Sequence, residues 1–368
     1  MSRLTPFLGI LAGVTLGVLA VSFVGSRTVV ESDASSKLSL IIPTLTPSTE
    51  MSPAFVEATS TPKKVVPLKK ETSKSVEPLP ATPLPAPTPT TNVPVPDVVA
   101  SELRGALVNI LCYAPAGGSI HSISGSGVII DPKGIIITNA HVAQYLLLKD
   151  RGVDCTIRSG SPALDRYEAS LIYISPSWLR ANPRVLTETL PNGTGEYDFA
   201  LAAITKSTTR DSLPSTFPFL PLATRPSVTG VPVVIASYGA QFIASSQIQS
   251  SLFPTVVFGS VKDIFTFGTK TIDVIALGGS AAAQEGSSGG GVADAYGNLV
   301  GVITTSTVTG ATDTRSLDAI TASYIRAQYA TETGSALDIL LSKDTATSVA
   351  GYASQLSDLE AIITTGLP

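Results

Sequence analysis

The feature that most limits what this chain can fold into is a succession of short apolar runs, each closed by glycine, proline or a polar turn. They fall at 106–113, 127–130, 135–138, 154–157, 169–174 and 199–204, and again at 231–239, 255–261, 271–276 and 292–303, the last broken by Tyr296-Gly297-Asn298. Runs of this length fit strands joined by tight turns better than helices. Many short strands with little helix predict an all-β fold, either a barrel or a sandwich. Pro214, Pro218, Pro221 and Pro226 mark a crossover at 211–229 that divides the globular part, 98–325, into lobes at about 98–210 and about 227–325. A helix-like stretch at 99–104 leads into the first run. The loop at 175–196 is longer than compact domains ordinarily carry, which marks it as functional or mobile. After Ile320 the apolar spacing becomes helical, at 335–341 and 355–363, so 326–368 is predicted to be a helical extension packed on the β lobes.

Ahead of this unit the chain has a different texture. Residues 6–25 are uncharged and rich in Leu, Val, Ala and Gly, with Arg3 before and Arg27 after. About 20 such residues span a bilayer as a helix. Residues 1–28 therefore read as a transmembrane anchor or a signal segment; Ala20-Val21-Ser22 offers a small-x-small exit, and the length favours an uncleaved anchor. One arginine on each side leaves the orientation to evidence from downstream. Residues 29–97 are rich in Pro, Thr and Ser and cannot bury enough apolar surface to offset their ordering entropy, so they read as a disordered linker. Extended at roughly 3.1 Å per residue, that linker reaches up to about 200 Å. Lys63, Lys64, Lys69, Lys70 and Lys74 within it read as a solvated charge run. The formal net charge of the 368 residues, −4, argues against a basic nucleic-acid binder.

Chemistry concentrates in Gln284-Glu285-Gly286-Ser287-Ser288-Gly289-Gly290-Gly291. A hydroxyl on a backbone nearly free of side chains can approach an electrophile closely, and successive glycines let N–H groups turn toward developing negative charge. That is the chemistry of acyl transfer, with a flexible Ser-Gly loop as the alternative reading. Serine needs a base, and the chain holds two histidines. His141 ends an apolar strand among small residues, whereas His121 sits in a polar loop. The imidazole in turn needs a carboxylate. Asp198 opens an apolar run and should be partly buried with a partner; Asp150, Asp154 and Asp165 lie in more polar surroundings. Two histidines and two cysteines far apart in sequence fall short of a metal site, and no cofactor is expected.

Thr138-Asn139-Ala140-His141, Tyr197-Asp198-Phe199-Ala200-Leu201 and Gly286-Ser287-Ser288-Gly289-Gly290, in that order, resemble the three signatures of chymotrypsin-fold serine proteases. Residues 125–134, Gly-Ser-Gly-Val-Ile-Ile-Asp-Pro-Lys-Gly, are similar to the hairpin that precedes the histidine in the HtrA/DegP branch. The resemblance implies two six-stranded antiparallel β-barrels, with His141 and Asp198 from the first, Ser288 from the second, and the active site in the cleft between them. It implies a serine endopeptidase whose partners are polypeptide substrates and, with the anchor read at 6–25 in the cell membrane, a protease domain on the extracytoplasmic side, and by HtrA analogy a role in protein quality control.

The same resemblance implies an oxyanion hole from the N–H groups of Gly286 and Ser288, and selects Ser288 over Ser287 because two glycines follow it in register. A specificity pocket is implied at Ala282, Ala283, Thr304, Thr305 and Ser306, and the lack of charge there predicts a small or medium aliphatic residue before the scissile bond. Gly291 stands where the family has proline and is expected to loosen the hairpin. The 48 residues after Ile320 are too few for the PDZ domain that commonly follows. In a six-stranded first barrel the strands of Cys112 and Cys155 are neighbours, so the pair is a disulfide in an oxidising compartment or two buried thiols otherwise. Nothing in the sequence argues for a homo-oligomer. A binding or scaffold domain that kept the fold and lost turnover is the alternative; an α/β-hydrolase esterase is disfavoured, because there the histidine comes last.

Overall fold

The computed structural model describes residues 96–188, 193–268, 271–306, 310–365 and 367. The expected membrane segment at 6–25 and nearly all of the expected linker lie outside the described residues. Among the described residues no helix is long and apolar enough to cross a membrane.

Six strands, β1 (Leu107–Tyr113), β2 (Ile123–Asp131), β3 (Ile135–Thr138), β4 (Asp154–Ser159), β5 (Leu164–Ile174) and β6 (Ala200–Ser207), close into an antiparallel barrel in the order β1-β2-β3-β6-β5-β4. All four residues of β3 and the first six of β1 are buried, because these strands face the barrel interior on one side and other elements on the other. Cys112 lies directly opposite Cys155 in the β1–β4 register, and the two form a disulfide. The first barrel is thus six-stranded, as expected.

The second lobe departs from the expectation. It is built from β7 (Pro232–Ser237), β8 (Thr255–Ser260), β9 (Asp263–Phe265), β10 (Val274–Ala276), β11 (Gly291–Ala293), β12 (Leu299–Ser306) and β13 (Leu317–Thr321). These make a seven-stranded sheet in the order β8-β7-β11-β12-β13-β10-β9, not a closed six-stranded barrel. The reason lies at Val261-Lys262. Gly230 N–H bonds the Val261 carbonyl on the β7 side, while Lys262 N–H bonds the Ala276 carbonyl on the β10 side. One chain segment bends there and serves both edges of the sheet, so it counts as two strands and closure is covalent rather than hydrogen-bonded.

Gly291 is closely packed: a Cβ there would lie 2.8 Å from Val128 Cγ2, 2.8 Å from Leu299 Cδ1 and 3.0 Å from Leu103 Cδ1. Side chains from three elements occupy the space that any larger residue would need.

Helix α1 (Pro96–Ala106) takes up the last two residues assigned to the linker; Pro96 opens it and Asp97 sits in the first turn, where an acid is favoured. Its buried Val99, Ala100 and Leu103 pack toward β2, β7 and β11, bridging the lobes. Two short helices, α2 (Ala140–Ala143) and α3 (Pro176–Ala181), lie at the active-site end of the first barrel, and α4 (Ile248–Ser251) lies in the loop after β7. The C-terminal part forms α5 (Ala322–Thr333), α6 (Leu337–Ser342), α7 (Thr345–Ala353) and α8 (Leu356–Thr364). These pack on the β lobes as expected: α7 on β5 and β6, and α8 on α3. The Tyr352 hydroxyl accepts from Ile174 N–H at 2.9 Å. The long loop at 175–196 contains α3 and a tight helical turn at Val185–Thr187.

Candidate active site

His141 sits on α2, a single turn that opens directly off β3. At the strand end the Thr138 hydroxyl donates to the Ser126 carbonyl (2.6 Å), and the buried Asn139 side-chain amide donates to the Asp198 carbonyl (3.0 Å). These bonds tie the histidine's turn to β2 on one side and to the Asp198 segment on the other. Asp198 follows Tyr197, the one non-glycine residue among those described that has a positive φ, 58°. Phe199 N–H reaches back to the Tyr197 carbonyl at 2.8 Å, and Asp198 N–H bonds the Gly195 carbonyl at 3.2 Å. A tyrosine in the left-handed region is strained, and such strain is held where the surroundings over-determine it. Here Tyr197 N–H is held by the Tyr324 hydroxyl of α5 at 3.0 Å.

The Asp198 carboxylate is 4% exposed and fully engaged. Its Oδ1 accepts from His141 N–H (3.0 Å); its Oδ2 lies 2.8 Å from His141 Nδ1 and accepts from the Thr304 hydroxyl at 2.8 Å. A carboxylate only accepts, so Nδ1 carries a proton and the Nε2 lone pair of the neutral ring is left for another donor. The ring also has Trp178 of α3 beside it, centroids 6.5 Å apart. Asp150 and Asp154 are exposed, and Asp165 pairs with Arg158 instead. His121 stays in the β1–β2 loop, its N–H 3.4 Å from the Leu186 carbonyl.

Ser288 is brought to the same end of the barrel. Its carbonyl accepts from Ser126 N–H at 2.7 Å. Gly289, with φ 86°, lies so close that a Cβ would overlap the Ser126 carbonyl and the Thr138 hydroxyl. The serine loop therefore rests on the β2–β3 pair that leads into His141. Ser287 is fully buried with the Ser237 hydroxyl 3.2 Å away, whereas Ser288 is partly exposed. Among the described residues neither Gly286 N–H nor Ser288 N–H has a hydrogen-bond acceptor.

The residues expected to line a specificity pocket have unlike placements. Ala282 and Ala283 are fully buried. The Thr304 hydroxyl is committed to Asp198 rather than to a pocket wall. Thr305 and Ser306 continue β12 opposite Asp318 and Leu317, and their side chains lie outside what the structure describes. Sequence reasoning missed Arg315, 5% exposed, whose guanidinium donates to the Ala283 carbonyl and the Gln241 side chain, both at 2.6 Å, and to the Gly310 carbonyl. It also missed Ser126 and Trp178, and it gave Thr304 a place in the pocket rather than its bond to Asp198. Only Ser126 left a signal, in the Gly-Ser-Gly run at 125–127.

Residues 125–302 match the family model described as the trypsin-like peptidase domain. That stretch is a trypsin-like peptidase domain, and the chain is a serine endopeptidase. Among solved structures it is similar to the Rv3671c protease of M. tuberculosis in its active form (21% identity, covering 71% of this chain and 95% of that one, TM-score 0.41). It is also similar to Deg5 (17%, 62% and 89%, TM-score 0.41) and to the MamO protease domain of Magnetospirillum magneticum (18%, 62% and 97%, TM-score 0.38). A search of the curated proteins finds no match.

Proposed function

We propose that this chain is a membrane-tethered endopeptidase that cleaves protein substrates outside the cytoplasm, with Ser288 as nucleophile, His141 as general base and acid, and Asp198 as the residue that orients the imidazole. The observation that carries the reading is the saturated Asp198 carboxylate, which fixes both the backbone and the ring of His141. In the first half-reaction Ser288 Oγ adds to the scissile carbonyl while His141 Nε2 takes the hydroxyl proton. That proton then passes to the leaving amine as the C–N bond breaks. Water attacks the acyl-enzyme by the same route and regenerates Ser288. Gly286 N–H and Ser288 N–H, which meet no acceptor among the described residues, are the donors proposed to stabilise the oxyanion.

Extracytoplasmic work is supported by the Cys112–Cys155 disulfide, since such bonds persist in oxidising compartments. The tether is residues 6–25, and the HtrA-like assignment, with a role in protein quality control, rests on the hairpin at 125–134. A small or medium aliphatic residue before the scissile bond remains the proposed preference, because the donors of Arg315 are directed to carbonyl-type oxygens. Cleavage after acidic residues would instead show that Arg315 reads the substrate.

Labelling of the full chain with a fluorophosphonate tests the assignment. Wild type and Ser287→Ala should label, and Ser288→Ala and His141→Ala should not; a wild type that neither labels nor degrades casein would leave only a binding domain. Release of the chain from membranes by alkaline carbonate would count against the anchor.

A further inference from the structure

We infer that the hydroxyl of Ser126, a strand residue of the first barrel, is a positioning residue for the oxyanion hole of the second lobe. The inference rests on the triad reading above and adds to it a device that holds the donors in place.

Ser126 is fully buried in β2, and its hydroxyl lies between two groups of opposite kind. Tyr238 N–H donates to Ser126 Oγ at 2.9 Å, and Ser126 Oγ in turn donates to the Gly286 carbonyl at 2.8 Å. A backbone N–H can only donate and a carbonyl can only accept, so the direction of the relay is determined by its two ends. The hydroxyl proton must point at Gly286. The preceding carbonyl, that of Glu285, is held as well, accepting from Ala240 N–H at 2.8 Å.

These two bonds hold the peptide planes on either side of the Gly286 Cα. Within a planar trans peptide the N–H points opposite to the carbonyl. With the Glu285 carbonyl directed at Ala240, Gly286 N–H is directed the other way, where it meets no acceptor among the described residues. Gly286 adopts φ 88°, a conformation open chiefly to glycine, and a Cβ there would lie 2.7 Å from the Tyr238 carbonyl. A glycine in this loop has other conformations within reach: rotation of the Glu285–Gly286 peptide would turn the Gly286 donor away from the substrate carbonyl, and rotation of the Gly286–Ser287 peptide, whose N–H bonds the Gln284 carbonyl, would shift the chain that runs from the Gly286 donor to the Ser288 donor. The Ser126 hydroxyl opposes the second rotation. It acts from the same residue whose N–H holds the Ser288 carbonyl and whose own carbonyl receives the Thr138 hydroxyl. One residue of the barrel that carries His141 thereby sets the register of the loop that carries Ser288.

The test is steady-state hydrolysis of a peptide substrate by the full chain, together with thermal melting, for Ser126→Ala, Ser126→Thr and Ser126→Cys. Removing an oxyanion donor outright lowers kcat by about 100- to 1000-fold; loosening one should lower it by about 10- to 100-fold. The expected result is that loss in kcat for Ser126→Ala at unchanged KM, with affinity for a peptide aldehyde inhibitor falling in step and with recovery in Ser126→Thr, which keeps the hydroxyl. If Ser126→Ala does not accumulate folded, Ser126→Cys, whose thiol is a weak donor of similar shape, should show the kcat loss instead. Wild-type kcat in the folded alanine or cysteine variant, or an effect confined to KM or to melting temperature, overturns the inference while leaving the triad intact. A wild type that fails to label with fluorophosphonate overturns the triad reading and this inference together.

Discussion

At Asp198 the carboxylate accepts from three groups, and only the Thr304 hydroxyl comes from the second lobe. That bond is buried, and a hydrogen bond to a charged group is worth more than one between neutral partners. Thr304→Val keeps the shape and removes the donor, so Oδ2 must balance on His141 alone. We expect kcat/KM to fall about tenfold or more, corresponding to a loss of about 1.5 kcal/mol, with Thr304→Ser close to wild type. Steady-state kinetics on a peptide substrate measures this, and an unchanged kcat/KM would reduce the bond to a packing contact. His141 and Asp198, which the structure pairs, were legible in the sequence because there are two histidines and few acids open an apolar run, and Ser288 was picked out by its glycine-rich loop. The roles of Thr304, Ser126 and Tyr197 were not. Those roles depend on which carbonyl or carboxylate lies opposite them, and no local pattern records that.

Among the elements, β1 and β4 are joined by more than hydrogen bonds. The Cys112–Cys155 disulfide closes a sequence separation of 43 residues. On the chain-entropy account, closing such a loop stabilises the folded state by about 4 kcal/mol, and its loss lowers the melting temperature by roughly 10 °C. The Cys112→Ala/Cys155→Ala double variant, melted beside wild type with and without reductant, checks this. A reductant-dependent shift in wild type that is absent from the variant is the expected pattern, and equal melting of both would show that the barrel's packing needs no staple. Most strands were readable as apolar runs, with ends misplaced by a few residues. β9 was not, since of its three residues only Ile264 is partly buried and the two beside it are exposed. Helices α6 and α8 showed helical spacing, whereas α5 and α7 did not. Helix α7 reads Thr-Ala-Thr-Ser-Val-Ala-Gly-Tyr-Ala, poor in strong helix formers apart from alanine, and it depends on the Asp344 cap and on packing against β5 and β6.

Over the whole molecule, buried phenols set the alkaline limit. Burial pushes Tyr145 and Tyr238 up to about 12 from an ordinary value of 10.0, and it also raises Tyr173, Tyr324 and Tyr352. The nearby Glu332 adds to the rise at Tyr173, to which its carboxylate is hydrogen-bonded. Each group keeps its proton longer in the folded chain than in the unfolded one. The stability they contribute is therefore whole below about pH 10 and is lost as pH climbs toward about 12. Melting followed by circular dichroism across that interval should show a falling transition temperature, with tyrosine ionisation appearing together with unfolding. A flat profile to pH 12 would mean that these rings ionise without leaving the core.

From the sequence alone came what repeats or is scarce along the chain: short strands from turn-bounded apolar runs, two lobes from a proline-rich crossover, and three catalytic types in a recognisable order. These are local properties, because backbone preference and side-chain chemistry are carried by neighbouring residues. Only the tertiary structure decided what depends on groups distant in sequence meeting in space. It bent one segment at Val261-Lys262 to serve two sheet edges, packed Leu103, Val128 and Leu299 around Gly291, and set the Ser126 hydroxyl between Tyr238 and Gly286. Hydrogen bonds and close packing act over a few ångströms of space, whatever the number of residues between the partners.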